Sequence, residues 1–215
     1  MLQTFTDRMK QTIMLTGRCL LVGISLISLW SLLPKQWRVR AFESNHATLQ
    51  GQWRGASFPV ENFQMYTSPF GLRQSPDGTA SQEYHRGLDM AAPEGSYVRN
   101  WWSGTVVEVT DDTACGTSVV VQSGPWEHIY CHMKGQVESS NGRPYLSDRE
   151  GGIQVWHGQT VAAGARIGRV GTTGRTTGPH LHWGLKYQGE WIDPAIVLRA
   201  MYSEQTSQQA AVRRP

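Results

Sequence analysis

The sequence predicts an all-β domain made of compact antiparallel sheets. The first supporting observation is a series of short β-branched segments, such as Thr105–Thr110 and Thr117–Gln122, which are typical of strands. The second is that turns rich in glycine separate these segments. The third is that, beyond the amino-terminal region, a helical period of apolar residues occurs only around Pro194–Tyr202. A short C-terminal helix at that position completes the predicted fold.

The other elements follow in chain order. The turn Ser123–Trp126 joins Thr117–Gln122 to a strand at Glu127–His132 as a hairpin. Residues 135–159 are polar and rich in Gly and Ser, and are predicted to form an inserted loop. The strand pattern resumes in three later segments, Arg166–Val170, His180–Lys186 and Glu190–Ile192. These boundaries divide the chain into a leader (1–41), a linker (42–65), a folded domain (66–200) and a Gln/Ala-rich tail (201–215) that is predicted to be disordered.

The composition excludes several classes of protein. The chain has 215 residues, with 20 Lys and Arg against 17 Asp and Glu, and 39% of its residues are apolar. A net charge of +3 is too small and too scattered to indicate a nucleic-acid partner. Three cysteines are too few for a disulfide-dense mini-protein or for a Cys-rich zinc module. The length fits one globular domain with additional segments.

The leader is predicted to be a signal peptide or a membrane anchor. A charge-free and mostly apolar run, Cys19–Leu33, follows the basic residues Arg8, Lys10 and Arg18. Its length of about 15 residues suits a signal-peptide core better than a complete membrane span, which needs about 20. Val39–Ala41 offers a small-residue cleavage pattern, which slightly favours cleavage over anchoring.

Three motifs in the predicted domain contain histidines. In His85-Arg-Gly-Leu-Asp89 an imidazole and a carboxylate lie four residues apart, in a loop or at a strand edge, where both can bind one cation. In His180-Leu-His182 two imidazoles project from the same side of a strand. His132 ends the second strand of the hairpin. Taken singly, each motif is also consistent with ordinary hydrogen-bonded histidines.

The order of these motifs carries more information than any one of them. Along the chain they read SPFGLR, HRGLD, YCHM and TGRTTGPHLHW. This set closely resembles the lysostaphin/LytM-type zinc metallopeptidases, which cut peptidoglycan peptides. The resemblance covers Tyr66 to Val197. It implies an antiparallel β fold of the duplicated hybrid-motif type, with a metal site at the floor of a groove.

The resemblance also implies a role for each polar residue of the motifs. His85, Asp89 and His182 would bind one Zn²⁺ per chain, and this set leaves the fourth tetrahedral position open, as a catalytic zinc site requires. His132 and His180 would flank the water that the metal activates. One of them would accept its proton, and the other would stabilise the oxyanion or protonate the leaving amine; the sequence leaves open which does which. Since the inserted loop begins just after His132, we expect it to border the groove.

The leading functional hypothesis is an exported zinc metalloendopeptidase that hydrolyses peptide bonds in peptidoglycan stem or bridge peptides. Its location would be extracytoplasmic, in the periplasm, the cell wall or the medium, with membrane anchoring through the leader as one variant. The alternative is a non-catalytic cell-wall binding module or an activator of other peptidoglycan hydrolases. A third hypothesis is an unrelated metallohydrolase or metal-storage module. The presence of all five polar site residues favours the first hypothesis.

Two cysteines lie in the predicted domain, Cys115 and Cys131. An oxidising compartment favours a disulfide between them. The predicted hairpin register separates them by three positions, so a bond requires a bend at Gly116, and two separate buried thiols remain the alternative. Strand alternation further predicts that Cys131 points away from the His132 face and that His128 shares that face.

Overall fold

The computed structural model describes residues 52–75 and 79–212. Its strands pair in antiparallel fashion, which confirms the predicted all-β class. The predicted leader, the first part of the linker and the last three residues lie outside the described residues. Within the described ranges, no helix is both long enough and apolar enough to cross a membrane.

The described elements comprise one 3-10 helix, fifteen strands and one α-helix. In chain order they are the 3-10 helix (Gln52–Gly55), β1 (Met65–Ser68), β2 (Gly71–Gln74), β3 (Gln82–His85), β4 (Leu88–Ala91), β5 (Tyr97–Arg99), β6 (Gly104–Thr110), β7 (Ser118–Ser123), β8 (Trp126–Cys131), β9 (Gln136–Ser140), β10 (Arg143–Asp148), β11 (Ile153–Trp156), β12 (Thr160–Val161), β13 (Arg166–Arg169), β14 (His180–Tyr187), β15 (Glu190–Ile192) and α1 (Pro194–Val212).

The main sheet has eight strands in the order β1-β4-β14-β8-β7-β6-β12, with β15 paired to β14. Its central strand β14 alternates in burial, because Leu181, Trp183 and Leu185 are fully buried on one face. His180 and His182 occupy the intervening positions and therefore lie on the other face. The alternation of β14 thus gives the sheet one core-forming face and one face that is available for a site.

The segment predicted to be an inserted loop instead forms a three-stranded sheet in the order β11-β10-β9. Leu146 and Val155 are buried, whereas most of β9 is polar and exposed, and this polarity hid the strand pattern in the sequence. A buried ion pair attaches this sheet to β13: Arg169 donates from Nε to Asp148 Oδ2 at 2.6 Å and from Nη2 to Oδ1 at 2.8 Å.

The C-terminal helix α1 confirms the predicted helix but continues to Val212, through residues that were predicted to be disordered. Its second half is fixed to the 3-10 helix, since Trp53 N donates to Glu204 Oε2 at 3.0 Å and Gln205 Nε2 donates to Trp53 O at 3.1 Å. The Trp53 ring is buried and packs 5.0 Å from the ring of Trp101. The end of the predicted linker therefore belongs to the folded domain.

Candidate active site

Three side chains from three strands meet on the open face of the main sheet. His85 ends β3, Asp89 lies on β4 and His182 lies on β14 directly opposite Asp89. His85 Nε2 is 3.1 Å from Asp89 Oδ1 and 2.9 Å from His182 Nδ1, and His182 Nδ1 is 2.9 Å from Asp89 Oδ1. One ligand atom from each residue therefore points to a common position.

This donor set fits a small divalent cation. Two imidazole nitrogens and one carboxylate oxygen are a ligand set of catalytic zinc sites, and on a tetrahedral ion with bonds of about 2.0–2.2 Å such atoms lie about 3.3 Å apart. The observed separations need only a slight expansion to reach that value. Burial opposes ionisation of Asp89, but the adjacent imidazoles of His182 and His85 outweigh it and hold the pKa of this carboxyl well below its usual range. Asp89 is therefore an anion at neutral pH, as a metal ligand must be.

A backbone carbonyl orients the ring of His85. His85 Nδ1 is 2.7 Å from the carbonyl oxygen of Pro69, so Nδ1 carries the proton and donates to it. In the neutral tautomer the lone pair is then on Nε2, which faces Asp89 and His182. Fixing the tautomer through the second nitrogen is the usual device that prepares a histidine for metal binding.

Arg73 orients the carboxylate of Asp89 in a comparable way. Its Nη1 donates to Asp89 Oδ2 at 3.0 Å and to Ser68 Oγ at 2.5 Å, while its Nη2 donates to Glu83 Oε1 at 2.8 Å. Oδ2 is thereby occupied, and Oδ1 is the oxygen presented to the two histidines. The motif SPFGLR contains no candidate ligand of its own, but its arginine contacts the candidate ligand Asp89.

Gly87 makes room for the ring of His182. A Cβ atom at this position would lie 2.5 Å from both Cε1 and Nε2 of His182, and 2.9 Å from the carbonyl oxygen of Trp183. Distances below 3.0 Å are essentially never seen for a real Cβ. The glycine of HRGLD is therefore required by the close approach of β14.

Two further histidines lie beside the three candidate ligands, and each donates a hydrogen bond to a backbone carbonyl in the segment that follows β13. His132 Nδ1 donates to the carbonyl oxygen of Thr173 at 2.8 Å, and His180 Nδ1 donates to that of Gly178 at 2.8 Å. Each ring therefore keeps its lone pair on Nε2 when it is neutral. The two ring centroids are 4.9 Å apart, and His180 Nε2 is 3.5 Å from Asp89 Oδ1. Both rings face the position where the candidate ligands converge.

The charge state of His132 follows from its burial. Burial lowers the pKa of His132 to about 4, with smaller contributions from neighbouring imidazoles, although its hydrogen bond to Thr173 acts in the opposite direction. Burial also lowers the pKa of His182. Both rings are therefore neutral at pH 7, so His182 can bind a metal and His132 can accept a proton.

The chain leaves β8 at His132 through a left-handed conformation, with φ of 62°. A non-glycine residue in this region is uncommon and is typical of functional positions. This change of direction makes the predicted alternation wrong at this point. Cys131 pairs with His182 across the strands and lines the same cleft as His132, whereas the fully buried His128 lies on the core face with Tyr130.

A disulfide joins Cys115 to Cys131, with their Cα atoms 4.9 Å apart. The hairpin has the predicted register, with Val119 opposite Tyr130, so the intervening chain must turn back to bring Cys115 into reach. It does so at Gly116, whose φ is +61°. The amide of His132 then donates to the carbonyl oxygen of Cys115 at 2.8 Å, so the disulfide and this hydrogen bond fix the same few residues.

The three candidate ligands, together with His132 and His180, line a cleft of about 600 Å³. Its walls come from the β2–β3 hairpin, from the turn around Cys115 and from the segment after β13. The three-stranded sheet at 135–159, which we expected to border the groove, contributes none of the described lining residues. Among the described tryptophans the lining includes Trp191, while Trp101, Trp126 and Trp183 are buried in the core.

Comparison with known proteins agrees with this geometry. The sequence matches Peptidase family M23 over residues 83–143 and 145–194, a span that contains the three candidate ligands and both further histidines, His132 and His180. The chain belongs to peptidase family M23. The family resemblance seen in the motifs is thereby confirmed.

Relatives of known name support the same family. The chain is 32% identical over 153 residues to peptidoglycan DD-endopeptidase ShyA of Vibrio cholerae, covering 71% of this chain and 31% of that protein. It is 31% identical over 132 residues to DD-carboxypeptidase/endopeptidase Mpg of Neisseria meningitidis, covering 61% of this chain and 26% of that protein. This M23 chain thus spans about a quarter to a third of the length of these relatives.

A solved structure has the same fold. It is a zinc-containing peptidase from Vibrio cholerae, with a TM-score of 0.52 and 27% sequence identity, over 69% of this chain and 40% of that one.

Proposed function

We propose that this M23 chain is a zinc-dependent endopeptidase that cleaves peptide bonds in peptidoglycan outside the cytoplasm. The observation that carries the proposal is the convergence of His85, Asp89 and His182, whose ligand atoms lie 2.9–3.1 Å apart. Two more histidines with free Nε2 lone pairs lie beside them, which a purely structural metal site would not need. The named relatives support peptidoglycan as the substrate.

The zinc ion would be held by His85 Nε2, Asp89 Oδ1 and His182 Nδ1. When bound, it would polarise the carbonyl of the peptide bond and lower the pKa of a water molecule in its open position. Arg73 keeps Asp89 Oδ2 occupied, so Asp89 contributes one oxygen and the open position stays accessible.

The proton transfers would belong to His132 and His180. His132 is neutral at pH 7, and its Nδ1 is engaged with Thr173, so its Nε2 can accept the proton of the attacking water. The ring can then return that proton to the departing amine. His180 Nε2 is 3.5 Å from Asp89 Oδ1, and when this ring is protonated Nε2 can donate a hydrogen bond to the oxygen of the reacting carbonyl or to the leaving group.

The location outside the cytoplasm rests on three observations. The substrate in the relatives' names is peptidoglycan. The disulfide between Cys115 and Cys131 is of a kind that persists in oxidising compartments. The apolar run Cys19–Leu33 suits an export signal or an anchor.

The test is digestion of purified peptidoglycan by the full-length protein, with and without a chelator, and with His180→Ala as a folded control. We expect the wild type to release peptide fragments. The chelator should abolish this release, and added zinc should restore it. If the zinc-loaded wild type binds peptidoglycan and releases no fragments, the protein is a binding module or an activator and the proposal is wrong.

A further inference from the structure

The cleft carries more positive than negative charge before any metal binds. Three arginines line it, Arg73, Arg86 and Arg175, together with two carboxylates, Glu83 and Asp89. A bound divalent cation would increase the excess. A cleft with this charge favours anionic substrates over neutral ones.

The two carboxylates are not shared evenly among the arginines. Arg73 contacts both Asp89 and Glu83. Glu83 also accepts from Arg175, whose Nη2 is 2.7 Å from Glu83 Oε2, and these two arginines together lower the pKa of the Glu83 carboxyl. One glutamate therefore serves two guanidinium groups. Among the described residues Arg86 forms no ion pair, and it lies over the ring of Trp191 at 5.9 Å.

Arg175 is the arginine that is both accessible and fixed close to the reacting groups. Its side chain is 55% exposed, whereas that of Arg73 is 20% exposed. Its backbone amide donates to the carbonyl oxygen of Ala114 at 2.8 Å, which fixes the residue at the cleft wall. It lies in the same short segment as Thr173 and Gly178, whose carbonyls hold the two candidate proton-transfer histidines.

We propose that Arg175 binds a carboxylate of the substrate, and that the cleft therefore selects peptides with a free acidic group near the bond to be cut. The inference rests on the proposed peptidase function and names its substrate class: stem-peptide cross-links that carry carboxylates, rather than uncharged oligoglycine bridges. The substrate carboxylate replaces Glu83 as the partner of Arg175. This exchange costs little, because an exposed ion pair such as Arg175–Glu83 contributes little to stability.

The residue type suits this role. A guanidinium can donate two parallel N–H bonds to one carboxylate, which gives direction as well as attraction. After the exchange Glu83 is still paired with Arg73, so the half-buried carboxylate is not left without a partner. Arg86 also lines the cleft and adds to its positive field.

The test compares a soluble cross-linked peptidoglycan peptide in two forms, with its carboxylates free and with them converted to primary amides. The full-length, zinc-loaded wild type should cleave the free form with a kcat/KM at least about tenfold higher, as the loss of one charged hydrogen-bonding pair predicts. Arg175→Gln should lose this preference by a fall on the free form alone, and Arg175→Lys should keep much of it. Arg149→Gln is the matched control, since Arg149 is an 85% exposed arginine paired with Glu138 outside the cleft, and it should behave as wild type.

Two results would overturn the inference. One is a wild type that cleaves both forms equally. The other is an Arg175→Gln variant whose kcat/KM falls equally for both forms of the peptide. That result would mean that Arg175 only stabilises the position of its own segment against β3. Calorimetric titration of the same peptides separates this inference from the proposed function. If the wild type cleaves neither form but binds the free form more tightly, and Arg175→Gln abolishes this difference, then carboxylate binding is supported and the peptidase proposal is wrong. If both forms bind equally, carboxylate selection is wrong.

Discussion

Replacing Gly87 by alanine should damage the candidate metal site although it changes none of the candidate ligands. The new Cβ would lie 2.5 Å from two atoms of the His182 ring, and ordinary contact begins near 3.4 Å, so the ring must retreat by about 0.9 Å. The carbonyl oxygen of Trp183, at 2.9 Å, prevents the backbone of residue 87 from absorbing the whole strain. Metal–ligand distances tolerate only about 0.2 Å of error. We therefore expect the zinc affinity of Gly87→Ala to fall by about 10–100-fold, the cost of disturbing a ligand's support.

The assay is competition for zinc between the protein and a chromophoric chelator at fixed pH. Gly55→Ala is the matched control, because an added Cβ there meets no atom within 4 Å. Circular dichroism should show that both variants keep the β-sheet signal. Gly87→Ala with the zinc affinity of the wild type would refute the reasoning, since it would mean that the position of His182 does not depend on the missing side chain.

Three further predictions concern other parts of the site and core. His132→Ala and His180→Ala should keep zinc but lose activity by about 100-fold or more, as for the loss of an acid–base or oxyanion group; a zinc-free variant in elemental analysis would make that residue a ligand instead. Burial lowers the pKa of His128 from 6.5 to about 3, so protonation favours the unfolded chain between these values. The stability measured by urea unfolding should therefore fall by up to about 4–5 kcal/mol as the pH drops through that window, and by clearly less in His128→Gln; identical pH profiles would contradict this. Labelling of free thiols in denatured, non-reduced protein should modify neither Cys115 nor Cys131, and reduction should lower the free energy of unfolding by about 3 kcal/mol. If both cysteines are labelled without reduction, the predicted disulfide is wrong.

The sequence predicts the parts of this site that depend on local strand geometry. On β14 the two-residue period puts His180 and His182 on one face, and the structure agrees, because a strand in the middle of a sheet has little freedom to do otherwise. The order and glycine context of the motifs also predict the family. The C-terminal helix begins where the apolar period indicates.

The features that the sequence did not predict correctly depend on contacts between distant segments of the chain. The contact of Arg73 with Asp89 joins β2 to β4, which belong to two different sheets, and no periodicity in the sequence predicts it. His132 has a left-handed φ and its amide donates to the carbonyl oxygen of Cys115, so His132 leaves the alternation of β8, and the predicted faces of Cys131 and His128 relative to it were wrong. Tertiary contacts likewise order the three-stranded sheet at 135–159 and the second half of α1, although their polar composition indicated a loop and a tail.

The measurement that tests the account most directly is the zinc content per chain of the full-length wild type and of Asp89→Ala, with cleavage of peptidoglycan recorded on the same samples. Asp89 supplies the only negative charge among the three candidate ligands, so its loss should release the metal. We expect one zinc per chain and cleavage for the wild type, and neither for Asp89→Ala. Full zinc occupancy in Asp89→Ala, or cleavage by a zinc-free wild type, would contradict this expectation.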